Sequence, residues 1–183
     1  MGPQGSGKST QAQLVANKLE NSYIYSGGLL REYAQGDSEQ AKWVRDELAK
    51  GHLIPNKILF PLLEEKIMQT ISQEKGFVLD GYPRNDTQLE PLNSLLSKTN
   101  QKIDKVVYIN LPDQQGIDRI LNRAKQQGRE DDTQEAISKR LEIYHTQTEP
   151  ILNYYRNLGV LLEVDGKGTV EEVEKLIWEA VNQ

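Results

Sequence analysis

The sequence contains no cysteine. That absence excludes disulfide frameworks, thiolate zinc sites and thiol nucleophiles together. Positive charge is also short: the formal net charge is −5, so no bulk basic surface invites duplex nucleic acid or an anionic membrane. No apolar run approaches the ~20 residues of a membrane-spanning helix, and the N-terminus lacks the apolar stretch of a secretory leader. These absences leave a soluble, cytoplasmic domain, expected to be monomeric, with no nucleic-acid or membrane partner. At 183 residues the chain fits one domain with a substantial core. Arginine is scarce as well, with eight residues against fourteen lysines. Lysine therefore supplies the ordinary solvated charge, and arginine, whose planar fork grips phosphate oxygens, is the cation whose placement is informative.

Short apolar runs without alternation mark buried parallel strands at Phe77-Val78-Leu79, Val106 to Leu111 and Val160 to Val164, with Tyr23-Ile24-Tyr25 as a fourth candidate. The Tyr23 run is read as closed by a turn at Ser26-Gly27-Gly28. Helical periodicity predicts helices over 9–20, 29–35, 38–50, 55–71, 86–99, 113–126, 133–158 and 169–182. Ser38, Asp113 and Thr169 are candidate caps, Gly51 a stop, Pro55 a first-turn proline and Pro61 a bend. Strands separated by helices imply an α/β fold with a parallel sheet covered by helices on both faces.

The opening MGPQGSGKST carries Gly2, Gly7, Lys8 and Ser9 at the G-x-x-x-x-G-K-[ST] spacing of a phosphate-binding loop, with Gly5 as an added glycine. Such a loop turns backbone N–H groups, here those around Ser6, Gly7 and Thr10, toward a polyphosphate at the positive end of the following helix. Lys8 is placed to reach the β- and γ-phosphates, and the Ser9 hydroxyl to ligate Mg²⁺. A second motif, FVLDGYPR over 77–84, ends a buried strand in Asp80, followed by Gly81 and Arg84. Ligands of parallel sheets bind beyond the carboxyl ends of strands, so Asp80 falls beside Lys8 and Ser9, able to hold Mg²⁺ through water.

GPQGSGKSTQAQ, YSGGLLR, DGYPRNDTQ, DRILNRAKQQGREDD and KRLEIYHTQTEPILNYY, in this order, resemble the adenylate kinases and, more broadly, the nucleoside monophosphate kinases. The resemblance spans essentially the whole chain and implies reversible transfer of the ATP γ-phosphoryl group to AMP, giving two ADP, with Mg²⁺. It implies one P-loop kinase domain over 1–183, with 26–55 as the acceptor-binding subdomain and 123–133 as a short lid. It implies that Arg31 and Arg84 hold the acceptor phosphate, that Gln88 reads the adenine edge, and that Ser26 and Ile54 adjoin the acceptor base. Arg119 would lie against the ATP adenine, and Arg123, Arg129 and Arg140 would surround the transferring group with Lys8 and Arg84. Asp131 and Asp132 match an acidic pair after the lid arginine. Six of the eight arginines thus fall on motif positions. His52, His145, Tyr23, Tyr25, Tyr154 and Tyr155 are read as structural or packing residues.

The chain departs from the family pattern in two places. Gly27-Gly28 stands where a Gly-Asp pair is usual, which removes a carboxylate near the Mg²⁺ water shell and raises a nucleotide sensor without turnover as an alternative. Ser26 and Asn85 leave UMP or CMP open as acceptors. The family's sheet also has five parallel strands, the central one ahead of the phosphate loop, whereas four are legible here. Burial of four apolar side chains in such a strand is worth roughly 6–12 kcal/mol, comparable with the ~5–15 kcal/mol net stability of a whole domain. The reading therefore expects an apolar strand upstream of Met1.

Overall fold

The computed structural model describes the backbone of residues 1–127 and 133–182, and the side chains of all of these except 123–127. Within them the chain forms strands β1 (Ser22–Tyr25), β2 (Phe77–Asp80), β3 (Val106–Asn110) and β4 (Leu161–Asp165). These match the runs read from the sequence. The strands pair in parallel, two by two: β1 with β2 from Ser22↔Phe77 to Tyr25↔Asp80, and β3 with β4 from Val106↔Leu161 to Asn110↔Asp165. Among the described residues no ladder joins β2 to β3. An apolar trench of about 310 Å³ lies there instead, with Phe77, Leu79, Val107 and Ile109 in its walls. At one end of it the Ile109 N–H donates to the Met1 carbonyl at 2.9 Å, and the Met1 amine donates to the Val107 carbonyl.

Helices cover the strand pairs. The chain runs α1 (Lys8–Lys18), α2 (Ser26–Tyr33), α3 (Glu39–Ala49), α4 (Asn56–Ser72), α5 (Leu89–Lys98), α6 (Asp113–Gln127), α7 (Gln134–Ile143), α8 (Ile151–Asn157) and α9 (Val170–Val181). Period-two alternation in β3 serves opposite faces: Ile109 packs with Val164, Val173 and Ile177 under α9, while Tyr108 packs with Tyr144 and Leu152. The largest apolar cluster joins Ile24 of β1 to Leu30, Val44, Leu63, Ile67 and Leu92, tying α2 to α5 together.

Caps read from the sequence hold where a hydroxyl starts a helix. Ser38 accepts the Ala41 N–H at 3.1 Å, and Thr169 forms a reciprocal capping box with Glu172. Pro55 is the residue before α4 rather than its first turn, α4 runs on through Pro61, and Asp113 is the first residue of α6 rather than its cap. Two element readings need larger corrections. Ser26-Gly27-Gly28 is the first turn of α2 and not a closing turn, because the Ser26 hydroxyl is spent on the Gly81 carbonyl, at 2.8 Å, across the strand ends. The single helix read over 133–158 is interrupted: a π-helical turn, Tyr144–Thr148, follows α7, and Pro150, which lacks the N–H of a helix interior, precedes α8.

Candidate active site

Parallel pairing sets Tyr25 against Asp80 at the carboxyl edge of β1 and β2. The phosphate loop lies at that edge, and its shape depends on contact with α6. A side-chain carbon on Gly5 would stand 2.2 Å from the Gly116 carbonyl oxygen, and one on Gly116 would stand 2.3 Å from the Gln4 carbonyl oxygen. Only two glycines let loop and helix touch backbone to backbone. Gly7, in the left-handed region at φ 84°, turns the chain into α1, whose N-terminus then faces the cleft.

A cleft of about 290 Å³ opens there. Its walls bring together, of the residues expected from the sequence, Gly5, Gly7, Lys8, Ser9, Thr10, Ser26, Arg31, Ile54, Arg84, Gln88, Arg119 and Arg140. Asp80 and Gly81 line an adjoining cavity that shares Lys8, Arg84 and Arg140 with the cleft, and Gly2 lies in that second cavity too. Ser6 is buried behind the loop, its hydroxyl without a partner among the described residues. The side chain of Arg123, and Arg129, Asp131 and Asp132 altogether, lie outside the described residues.

A neutral oxygen accepts from each of the four described guanidinium groups that line the cleft. Arg84 Nε donates to the Gly81 carbonyl at 2.8 Å, Arg31 Nη2 to the Tyr25 hydroxyl at 2.8 Å, and Arg140 Nη2 to the Leu48 carbonyl at 3.3 Å. Arg119 reaches the Lys167 and Gly168 carbonyls across the cleft rim. Burial pulls the Arg84 guanidinium below its usual range, and the like charges of Arg140 and Arg31 pull the same way, against Asp80 and Tyr25. Lys8 and four guanidinium groups converge on one cleft, an arrangement that suits an anionic ligand.

Gln88, 2 % exposed, is fixed by the chain itself. Its Oε1 accepts the Arg84 backbone N–H at 2.7 Å, which settles the amide orientation and turns the NH₂ the other way. Arg84 is pinned from behind as well, its carbonyl accepting the Thr148 hydroxyl at 2.7 Å. Asp80, 4 % exposed, accepts the Tyr23 hydroxyl at 2.8 Å. Burial and then the Asp80 charge push the Tyr23 hydroxyl up, so it stays a proton donor at neutral pH.

A family model described as adenylate kinase matches residues 1–160. The chain belongs to the adenylate kinase family. It is 40% identical over 181 residues to an adenylate kinase of Stenotrophomonas maltophilia (strain K279a), covering 99% of this chain and 96% of that one. It is 39% identical over 183 residues to one of Xanthomonas campestris pv. campestris (strain B100), covering 100% and 97% of the two chains. A third, from Xylella fastidiosa (strain 9a5c), is 39% identical over 177 residues, covering 97% and 94%.

The two tyrosines of β1, read from the sequence as packing, are half-buried, and each also bonds a polar side chain: Tyr23 donates to Asp80, and Tyr25 accepts from Arg31. His52, Leu48 and Leu53 also line the cleft, and His52 is tied to Glu47 at 2.7 Å. The signal available for the tyrosines was their i, i+2 spacing in a strand that ends at the ligand edge.

Proposed function

We propose that this chain transfers the γ-phosphoryl group of ATP to AMP, reversibly, giving two ADP. The observation that carries the reading is one cleft in which Lys8, Ser9 and the α1 N-terminus meet Arg31, Arg84 and Gln88. An acceptor phosphate oxygen attacks the γ-phosphorus, the bond to the β,γ-bridging oxygen breaks, and ADP leaves as AMP becomes ADP. A phosphate monoester is already largely anionic near neutral pH, its second pKa being about 6, so the acceptor needs no general base. Catalysis is then positioning and charge neutralisation. In this reading Arg31 and Arg84 hold the acceptor phosphate, while Lys8, Arg84, Arg123, Arg129 and Arg140 meet the charge of the transferring group.

The donor set beside the loop suits a hard cation. Asp80 and the Ser9 hydroxyl are oxygen donors, with no nitrogen or sulfur ligand among those read as metal-side residues. Ser9 directly, and Asp80 through water, would hold Mg²⁺, which would supply positive charge against the donor phosphates. Tyr23 orients Asp80 by donating to its Oδ2. Segment 26–55 serves as the acceptor-binding subdomain and 123–133 as the short lid, and the two exclude water during transfer. The protein is read as a cytoplasmic monomer acting on free nucleotides; among the described residues no helix is long and apolar enough to cross a membrane.

Gln88 supports adenine over uracil. With Oε1 committed to the chain, the amide presents a donor to the base, which adenine N1 accepts and a uracil N3–H does not. A coupled assay of ADP formation from ATP with AMP, UMP, CMP and GMP tests the reading. AMP is expected to be the best acceptor, and replacing Arg84 by alanine is expected to cost roughly 10²–10³ in turnover, with the fold intact by circular dichroism. No ADP above the R84A background overturns the kinase reading.

A further inference from the structure

The glycine pair at the start of α2 is not an empty place. Tyr23 and Tyr25 project from the same face of β1, their rings stacked at 6.1 Å between centroids with 17° between planes. The Tyr25 ring covers both glycines. A side-chain carbon on Gly27 would stand 2.9 Å from ring atoms of Tyr25, and one on Gly28 3.1 Å from its Cδ1. The ring is therefore seated against α2 because positions 27 and 28 carry no side chain. From that seat its hydroxyl accepts Arg31 Nη2 at 2.8 Å, and the guanidinium carbon lies 5.1 Å from the ring centroid. Arg31 makes no ion pair with any described carboxylate, so the phenol is its principal fixed partner.

We infer that Tyr25 is the positioning residue for Arg31, and that Tyr25, Gly27 and Gly28 form one unit that sets how the cleft holds the acceptor phosphate. This rests on the proposed function, in which Arg31 binds that phosphate. A long arginine left to itself samples many rotamers, and ordering it on binding costs free energy. The phenol removes part of that cost beforehand: it accepts one guanidinium N–H and holds the cation near its ring. Tyr25 itself lines the cleft. The missing carboxylate at position 28 is thus the space into which an aromatic anchor has moved, and the two features have to change together.

The test is AMP binding by calorimetry, with AMP KM, ATP KM and kcat from the coupled assay, on Y25F, R31A, Y25F/R31A, G28D, Y25S and Y25S/G28D. Y25F keeps the ring and loses the acceptor. It is expected to weaken AMP binding and raise AMP KM roughly tenfold, the scale of a hydrogen bond to a charged group, with ATP KM and melting temperature nearly unchanged. In the R31A background the same change is expected to do nothing further. G28D alone is expected to lower melting temperature or AMP affinity, and to do so less in the Y25S background. An unchanged AMP affinity in Y25F overturns the inference, as does equal loss for ATP and AMP, full additivity with R31A, or additivity of Y25S with G28D. A wild type that binds AMP but makes no ADP overturns the reaction while the binding comparison still decides Tyr25. A wild type that binds no AMP overturns both.

Discussion

At the scale of single residues, the contact between Gly5 and Gly116 opposes helix propensity to packing. Gly116 lies inside α6, where alanine is normally better than glycine by about 1 kcal/mol. Propensity alone therefore predicts that G116A stabilises the protein. The close approach predicts the reverse, since the new carbon would sit 2.3 Å from the Gln4 carbonyl oxygen, a backbone atom that cannot swing aside. Overpacking of this kind costs about 1–3 kcal/mol. G116A should lower the melting temperature by several degrees and displace the phosphate loop, reducing ATP affinity more than AMP affinity. Thermal melts with separate ATP and AMP titrations check both parts, and a stabilised G116A would refute the packing account.

At the scale of elements, α6 is fastened at its start by a titratable group. His145, in the π-helical turn, places Nδ1 2.8 Å from Glu149 and Nε2 2.8 Å from Asp113 at the head of α6, with the Tyr144 ring edge-on at 5.1 Å. The hydrogen bond to Glu149, then that to Asp113, raises the imidazole pKa above its ordinary 6.5. A raised folded-state value means the stabilisation is full below about 6.5 and is lost as pH rises through the folded value. The groups are exposed, so screening limits the effect to the ~0–1 kcal/mol of a surface pair. Melting temperature should fall by no more than about 2–4 °C between pH 6 and 8.5, and H145Q should remove that component. The other element test is the capping box of α9: T169A should cost about 1 kcal/mol, read as a shift of a few degrees.

The same scale shows what the sequence made legible. Strand positions followed from short apolar runs bounded by Gly76, Pro112 and Gly166, too short for a helix and flanked by turn residues. Ser38 and Thr169 were legible because a hydroxyl at a helix start has one clear use. The interruption at 144–150 was not, since an apolar periodicity continues across it and Pro150 is tolerated at the first turn of a new helix. Among candidate site residues, the phosphate loop was visible as spacing, and the motif arginines through the family resemblance. Tyr25 was not, because its role depends on two neighbouring residues having no side chains, and a glycine pair in isolation reads only as a turn.

At the scale of the whole molecule, the two strand pairs are joined through α1. It packs on β1 and β2 and also on α9, which covers β4. The seam with α9 includes Gln11 Nε2 donating to the Val170 carbonyl at 2.8 Å, a Lys18–Glu174 pair at 3.6 Å, and Lys18 over the Trp178 ring at 4.5 Å. With no described ladder between β2 and β3, the coupling falls to this seam, the Met1 contacts and a few side-chain links such as Thr148 to the Arg84 carbonyl and Asn93 to the Tyr154 hydroxyl, at 2.8 Å. Native-state amide exchange should therefore sort the molecule into two cooperative units, with β1–β2 amides and β3–β4 amides opening at different free energies. Their separation should widen in Q11A. The helix that forms the seam also presents its N-terminus to the nucleotide. A donor analogue bound there stabilises by RT ln(1 + [L]/Kd), about 2.7 kcal/mol at a hundredfold excess over Kd, and its charge is shared by a helix that belongs to both units. The ligand is then a mechanical splice: saturating nucleotide should merge the two exchange classes into one opening, so that substrate completes the cooperativity of the protein that binds it.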